Sequence, residues 1–525
     1  MMAKHRLGRW DLVNFGEWFC FKLSFVFCLL FSGILGPSFA WAAHECQNLF
    51  LPPADPPAWS KALGGGPSTP GLQQLTNHFQ KLIARLEKDH DSRNYIREVL
   101  SPARSIAELN ALAYQERILR AFVRSKDFSE LHLKISPEQN KLLVDYALKF
   151  NEVYLRTLAN CLANLDAAGV VPWKLSSIQT PVGPIPGLEL TITAQDTAAI
   201  SEMMENVKVL QPIHYVINKL HKFWQEHGVR DGRLSLIYAD LDLAYLQHEQ
   251  QFGIFDQHGV ASYQDGKIFL PYNIFANQFL AVPLLDHEFS HYQRDGRSFY
   301  IKVNPRFDSQ NDTIIAPGYP KHLDLSEIHA YAAALSIINL IKPTLGDDDF
   351  ETYRQSGMAQ MEQEFLQSLR LILPAVQEHL ASAKVVLQAM PTDRQLFDDN
   401  FDYKKVNITA GQQDLHHAQE RLEIMISYPV MKEVGEQNYR AQFFILHFPY
   451  NLTQENADTL HSLKGPQAQK EYLRQVVSQE LDHYLGLAQL FGQGLTSAQE
   501  VAKFWEKVHP ELNGPSFHLA SRPSL

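Results

Sequence analysis

The stretch Leu284-Leu-Asp-His287-Glu288-Phe-Ser-His291 holds the pattern H-E-x-x-H. On an α-helix, side chains at i and i+4 stand one above the other, so the imidazoles of His287 and His291 can reach one divalent ion. Glu288 follows the first histidine and points about 100° away around the helix. There it can touch water at such an ion without being a ligand itself. A metal that lowers the pKa of water, with a carboxylate that takes the proton, is the chemistry of zinc-dependent hydrolysis at a carbonyl. The competing reading is an exposed helix bearing two ordinary surface histidines, because 22 histidines in 525 residues allow a chance match.

The elements that must position these groups are legible on either side. Leu234-Ser-Leu-Ile-Tyr238 has the composition of a strand. Val260-Ala-Ser-Tyr263 and Lys267-Ile-Phe-Leu270 flank Asp265-Gly266, a dipeptide that accepts the positive φ angles of a tight hairpin turn. The motif helix is expected to begin at 273–277, to kink or restart at Pro283, and to stop at Asp295-Gly296. A hairpin strand feeding into it can leave a free strand edge beside the metal, where an extended peptide can add itself. Further on, Asp324-Leu-Ser-Glu327-Ile-His-Ala-Tyr331 opens a second helix. Alanines at 330, 332, 333 and 334 suit it to close packing against the first.

Strand, hairpin, H-E-x-x-H helix and a following helix with a glutamate resemble the core of the gluzincin metallopeptidases, over residues 230–345. The resemblance implies a zincin-like fold, one zinc ion per chain, and a third ligand from the second helix. Glu327 is the residue in that place. Asp324, His329 and, more weakly, His322 are the substitutes. Glu327 three residues after Asp324 also fits a capping box, in which the acidic side chain bonds back to the helix start. The metzincin alternative fails, because Arg294 and Arg297 stand where its glycine and third histidine belong. Thermolysin-like sequences carry an aspartate four residues after the ligand glutamate, which orients a histidine. Tyr331 takes that place, so the orienting partner must come from elsewhere, Asp286 being one candidate. Tyr331 could instead polarise a substrate carbonyl, as could Tyr292 or Tyr319. The implied catalytic residues are Glu288 and Tyr331, and the implied metal ligands are His287, His291 and Glu327.

Around this core the chain divides by composition. Residues 1–42 read as a signal peptide: Lys4, Arg6, Arg9 and Lys22 precede an apolar run from Leu23 to Gly36, and Ala40-Trp-Ala42 fits a cleavage site. Cleavage would leave Cys46 and Cys161, which could form one disulfide in an oxidising compartment. Residues 43–71 are rich in proline and glycine and read as an arm or linker. Residues 72–168 have helical spacing, as in Leu72, Leu75, Phe79, Leu82, Ile83 and Leu86. Residues 169–345 form the core region, with a helix expected from Asp196 or Ser201 through Trp224. Residues 346–525 are mostly helical, with strands expected at 422–426 and 442–448. There the stripe Met358, Met361, Phe365, Leu369, Ile372 reads as a core face, and Glu480, Asp482 and His483 read as solvated surface.

The expected fold class is mainly α with a small α+β zincin-like core and mostly helical flanks. A net charge of −11 and the absence of a Lys/Arg-rich run argue against a nucleic-acid partner. No segment after residue 42 is apolar enough to span a bilayer, so no membrane partner is expected once the signal is removed. The expected product is a periplasmic or secreted zinc metallopeptidase acting on a peptide or protein. The rivals are a non-catalytic binding or scaffold protein on the same fold, and an amidase acting on cell-wall peptides.

Overall fold

The computed structural model describes residues 69–89, 91–164, 173–205, 210–226, 228–255, 261–270, 274, 278–294, 300–303, 322–342, 358–389, 406–408, 420–435, 438–451, 454–492 and 495–508. The chain is mostly helical, with small sheets. Helices α1 (Thr69–Asp89), α2 (Ser92–Leu100), α3 (Ile106–Val123), α4 (Lys126–Glu130) and α5 (Pro137–Asn164) come first. Their starts follow from side chains: Asp91, Ser105 and Ser125 each accept a backbone N–H of the helix they precede. Leu75, Phe79, Leu82 and Leu86 recur at helical spacing and are buried, each worth about 1.5–3 kcal/mol when fully withdrawn from water.

Strands β1 (Lys174–Thr180) and β2 (Gly183–Thr193) follow, then α6 (Thr197–Met204), α7 (Gln211–Glu226), β3 (Arg233–Tyr238), α8 (Asp242–Glu249), β4 (Ser262–Gln264) and β5 (Lys267–Phe269). Their sheet has the order β1-β2-β3-β5-β4, antiparallel except for the parallel pair β3–β5. Asp265 (φ 47°) and Gly266 (φ 74°) make the hairpin turn with the positive φ angles expected of them. The helix expected through Trp224 is in fact two. Pro212 sits in the first turn of α7, where its missing N–H costs nothing.

The motif helix α9 (Gln278–Gln293) runs through Pro283 as one helix. It is followed by β6 (Tyr300–Val303), β7 (His322–Asp324), α10 (Ser326–Ile341), α11 (Met358–Ala389), β8 (Val406–Ile408), β9 (Glu420–Gly435), β10 (Asn438–Asn451), α12 (Gln454–Ser462), α13 (Pro466–Phe491) and α14 (Ala498–Val508). A second sheet, β7-β6-β10-β9-β8, is antiparallel throughout, and β9 and β10 form a longer hairpin than the sequence suggested. Among the described residues no helix is long and apolar enough to cross a membrane. Cys161 is buried in α5 and disulfide-bonded, while Cys46 lies outside the described residues.

Two hydrophobic cores meet on α9. Ala281, Leu285, Phe289 and Tyr292 belong to the first, which runs back through the first sheet to α1. Val282 and Leu284 belong to the second, built with α10, α11, α13 and α14. Polar ties reinforce each core. In the second, Glu362 of α11 pairs with Lys342 past the end of α10 and accepts the Ala498 N–H at the start of α14 (3.1 Å).

In the first core a buried ion cluster joins α3 to the end of β3. Arg120 Nε donates to Glu116 (3.0 Å), its Nη2 to Asp240, and Arg117 reaches Asp242 at 2.9 Å. Two guanidinium groups thus face three carboxylates. Burial pushes Glu116 up to about 7 against the pull of Arg120, with the charge of Asp240 adding to the rise. Burial acts the same way on Asp240, but Arg120 and Arg117 outweigh it and hold that carboxyl below its usual range. Glu116 therefore binds its proton more tightly folded than unfolded, and stability falls as pH rises from about 4.5 to about 7. Glu116→Gln, which mimics the protonated form, is expected to flatten that slope and to gain roughly 1–3 kcal/mol over wild type at pH 8. Urea unfolding at pH 5 and pH 8 measures it; parallel pH dependences would show that Glu116 is ionised in the folded protein.

Candidate metal centre

Three donors converge where α9 faces the start of α10. His287 Nε2 lies 3.3 Å from His291 Nε2 and 3.3 Å from Glu327 Oε2, and His291 Nε2 lies 3.5 Å from Glu327 Oε1. Two atoms each about 2.0–2.1 Å from one ion at the tetrahedral angle stand about 3.3 Å apart, so the edges of this triangle match a tetrahedral zinc site with one open corner. Chemistry and satisfaction agree with spacing. Glu327 Oε2 is buried without a well-aligned hydrogen bond, although it faces ring nitrogen. His287, His291 and Glu327 are the group of such side chains that could hold a metal ion among the described residues.

The local sequence explains why the three meet. The i, i+4 spacing stacks the two imidazoles on one face of α9, while Leu285 and Phe289 on another face anchor the helix in the first core. Ala330 and Ala334 of α10 are buried and stand on the same side of the helix as Glu327 by their spacing, so small side chains flank the glutamate where it reaches the imidazoles. The capping-box alternative for Glu327 fails: the N-cap of α10 is Leu325, which makes no side-chain cap, and the Glu327 carboxylate faces the imidazoles.

Each histidine is oriented differently. His291 Nδ1 lies 2.6 Å from Ser326 Oγ, so a proton on Nδ1 donated to that hydroxyl leaves Nε2 unprotonated towards Glu327 and His287. His287 Nδ1 is buried with no hydrogen-bond partner among the described residues. Its ring is held by aromatic packing, with Tyr331 edge-on at 4.8 Å and Phe365 of α11 stacked at 5.6 Å. Tyr331, in the place of the orienting aspartate, packs its ring against the His287 imidazole. Asp286 does not orient an imidazole; its buried carboxylate pairs with Lys219 and accepts from Tyr215 Oη (3.0 Å), tying α9 to α7.

Glu288 is buried, and burial raises its proton affinity; the charge of Glu327 adds to this, while His287, His291 and the Tyr263 N–H oppose it. That N–H belongs to β4, the last strand of its sheet, so Glu288 sits beside a strand edge. Burial alone would lower His287 and raise Glu327. Their mutual contact, aided by Glu288 for the imidazole and by His291 for the carboxylate, reverses both, raising His287 and lowering Glu327. The two shifts share one cause: an imidazolium and a carboxylate in contact each favour the other's charged form. Tyr331 is pushed up to about 12, by burial first and then by Glu327, and its hydroxyl bonds to Ser368.

The remaining candidates fall elsewhere. Asp324 and His322 lie in strand β7. His329 pairs with His483 of α13 (Nε2 to Nε2, 2.9 Å), away from the triangle. Tyr292 is fully buried and its hydroxyl accepts from Trp224 Nε1 (2.8 Å), so it packs rather than faces a substrate. Tyr319 and Arg297 lie outside the described residues. Glu480 and His483, expected on solvated surface, instead bond to Arg294 and His329. Ser326 and Phe365 carried no sequence signal: one reads as a helix-start serine, the other as part of a core stripe. No model of a known protein family, no curated protein and no solved structure matches this chain.

Ser326→Ala is expected to weaken zinc binding about 10–100-fold, and Ser326→Thr to restore most of it, because only the hydroxyl fixes the His291 tautomer. Chelator competition measures both. Equal affinities for wild type and the alanine variant would remove Ser326 from the site.

Proposed function

We propose that the protein is an exported zinc-dependent peptidase of gluzincin type, hydrolysing peptide bonds with Glu288 as general base. The observation that carries this reading is the triangle of His287, His291 and Glu327 at 3.3–3.5 Å with buried Glu288 one residue along the helix. Zinc held by the three donors would supply Lewis-acid activation of water and of the scissile carbonyl. Glu288, with its raised proton affinity, accepts the proton of the attacking water and returns it to the leaving amine. Tyr331 keeps its hydroxyl proton throughout the physiological range and, half-buried beside His287, donates towards the charge that develops on the substrate oxygen.

A peptide substrate is favoured over other amides by β4. Among the described residues this strand pairs on one side only, with β5, and its Tyr263 N–H already reaches Glu288. An extended chain added along the outer edge would run past the catalytic carboxylate. Export is supported by the N-terminal charge and hydropathy pattern and by the disulfide at Cys161, since such bonds persist in oxidising compartments. On this reading the chain is a periplasmic or secreted enzyme.

Metal analysis of purified protein is expected to give one zinc per chain for wild type and Glu288→Gln, and none for His287→Ala. Cleavage of a random peptide library should fall at least ~10²-fold in Glu288→Gln. Zinc binding without cleavage by wild type would point to the binding-protein alternative. Folded wild type without zinc would falsify the reading outright. Tyr331→Phe should lower kcat by roughly 10–100-fold with KM little changed, as expected for a donor that acts on developing charge.

A further inference from the structure

Two helices carry the donor triangle, and a third grips both. Glu480, His483 and Tyr484 of α13 share one helix face by their i, i+3, i+4 spacing. Glu480 Oε2 accepts from Arg294 Nη2 at 2.6 Å, three residues beyond His291 at the end of α9. The Arg294 guanidinium also lies 5.5 Å from the centre of the Tyr484 ring. One turn along, His483 Nε2 is 2.9 Å from Nε2 of His329, two residues beyond Glu327 in α10, with the rings stacked at 5.0 Å. Tyr484 and Trp505 of α14 pack edge-on against the same His329 ring at 5.5 and 5.2 Å.

We infer that α13 is the element that sets the separation of α9 and α10, with Glu480 and His483 as positioning residues for the metal ligands. This rests on reading His287, His291 and Glu327 as a metal centre. α9 and α10 are joined directly by the His291 Nδ1–Ser326 Oγ hydrogen bond, and a single tie of this kind leaves the two helices free to pivot about it. A metal site tolerates donor errors of only about 0.2 Å, so a further directional tie must fix register. Hydrogen bonds from one rigid helix supply it. Glu480 and His483 lie about 4.5 Å apart along α13, the rise of three helical residues. That step reaches from the last turn of the helix with His287 and His291 to the first turns of the helix with Glu327. The Arg294–Glu480 pair is also sheltered, its side chains 17% and 20% exposed, so it holds better than a surface pair does.

The test uses the full-length protein with zinc and with cobalt(II) as a spectroscopic substitute. Glu480→Gln and His483→Phe are each expected to weaken zinc binding about tenfold or more and to shift the cobalt absorption bands. The charge-reversed pair Arg294→Glu with Glu480→Arg should recover both readings towards wild type. If Glu480→Gln does not fold, Glu480→Asp keeps the charge, shortens the reach, and should still move the cobalt bands. A role in stability alone would lower Tm yet leave zinc affinity within about twofold and the cobalt spectrum unchanged, and that result overturns the inference. Wild type that binds no zinc would overturn the function reading and this inference together, whereas a zinc-binding wild type with unmoved variants overturns this one only.

Discussion

Two imidazoles and a carboxylate held within 3.5 Å of one another in a largely buried space are the constraint around which this structure is arranged. Left to itself such a group would spread apart into water, because imidazole and carboxylate groups buried without a full set of partners are costly. Here it cannot spread. α9 is fixed on two sides, with Leu285 and Phe289 in the first core and Val282 and Leu284 in the second. Ser326 of α10 holds one imidazole, and Tyr331 and Phe365 enclose the other.

The motif itself was legible because its chemistry is local. The histidines of α9 meet through helical geometry alone, and the Asp265-Gly266 turn needs nothing beyond its own φ angles. Glu327 needed one more step, a following helix whose alanine run suits it to close packing. Ser326, Phe365 and Glu480 were illegible for a shared reason. Each acts on a residue far along the chain, from 35 positions between His291 and Ser326 to 186 between Arg294 and Glu480. No periodicity encodes such meetings. Hydrophobic spacing alone joins the segment through Trp224 into a single helix, whereas α6 ends at Met204 and α7 begins at Gln211.

The N-terminal helices deserve to be counted with the site rather than apart from it. Their apolar faces and the sheet beside α9 form one continuous core, from Leu75 through Ile118 and Leu190 to Tyr292. Arg117 and Arg120 of α3 neutralise Asp240 and Asp242, both buried at the end of β3 and the start of α8. Tyr154 of α5 and Tyr238 of β3 share the Asn110 carbonyl oxygen of α3 at 2.6 and 2.5 Å. Detaching residues 69–164 would uncover the inner face of the sheet and strand two carboxylates whose burial depends on those guanidinium groups, a loss of several kcal/mol for each unpaired charge. A removable inhibitory segment must leave a folded remainder, and this one could not. α1–α5 therefore belong to the framework that shares a core with α9.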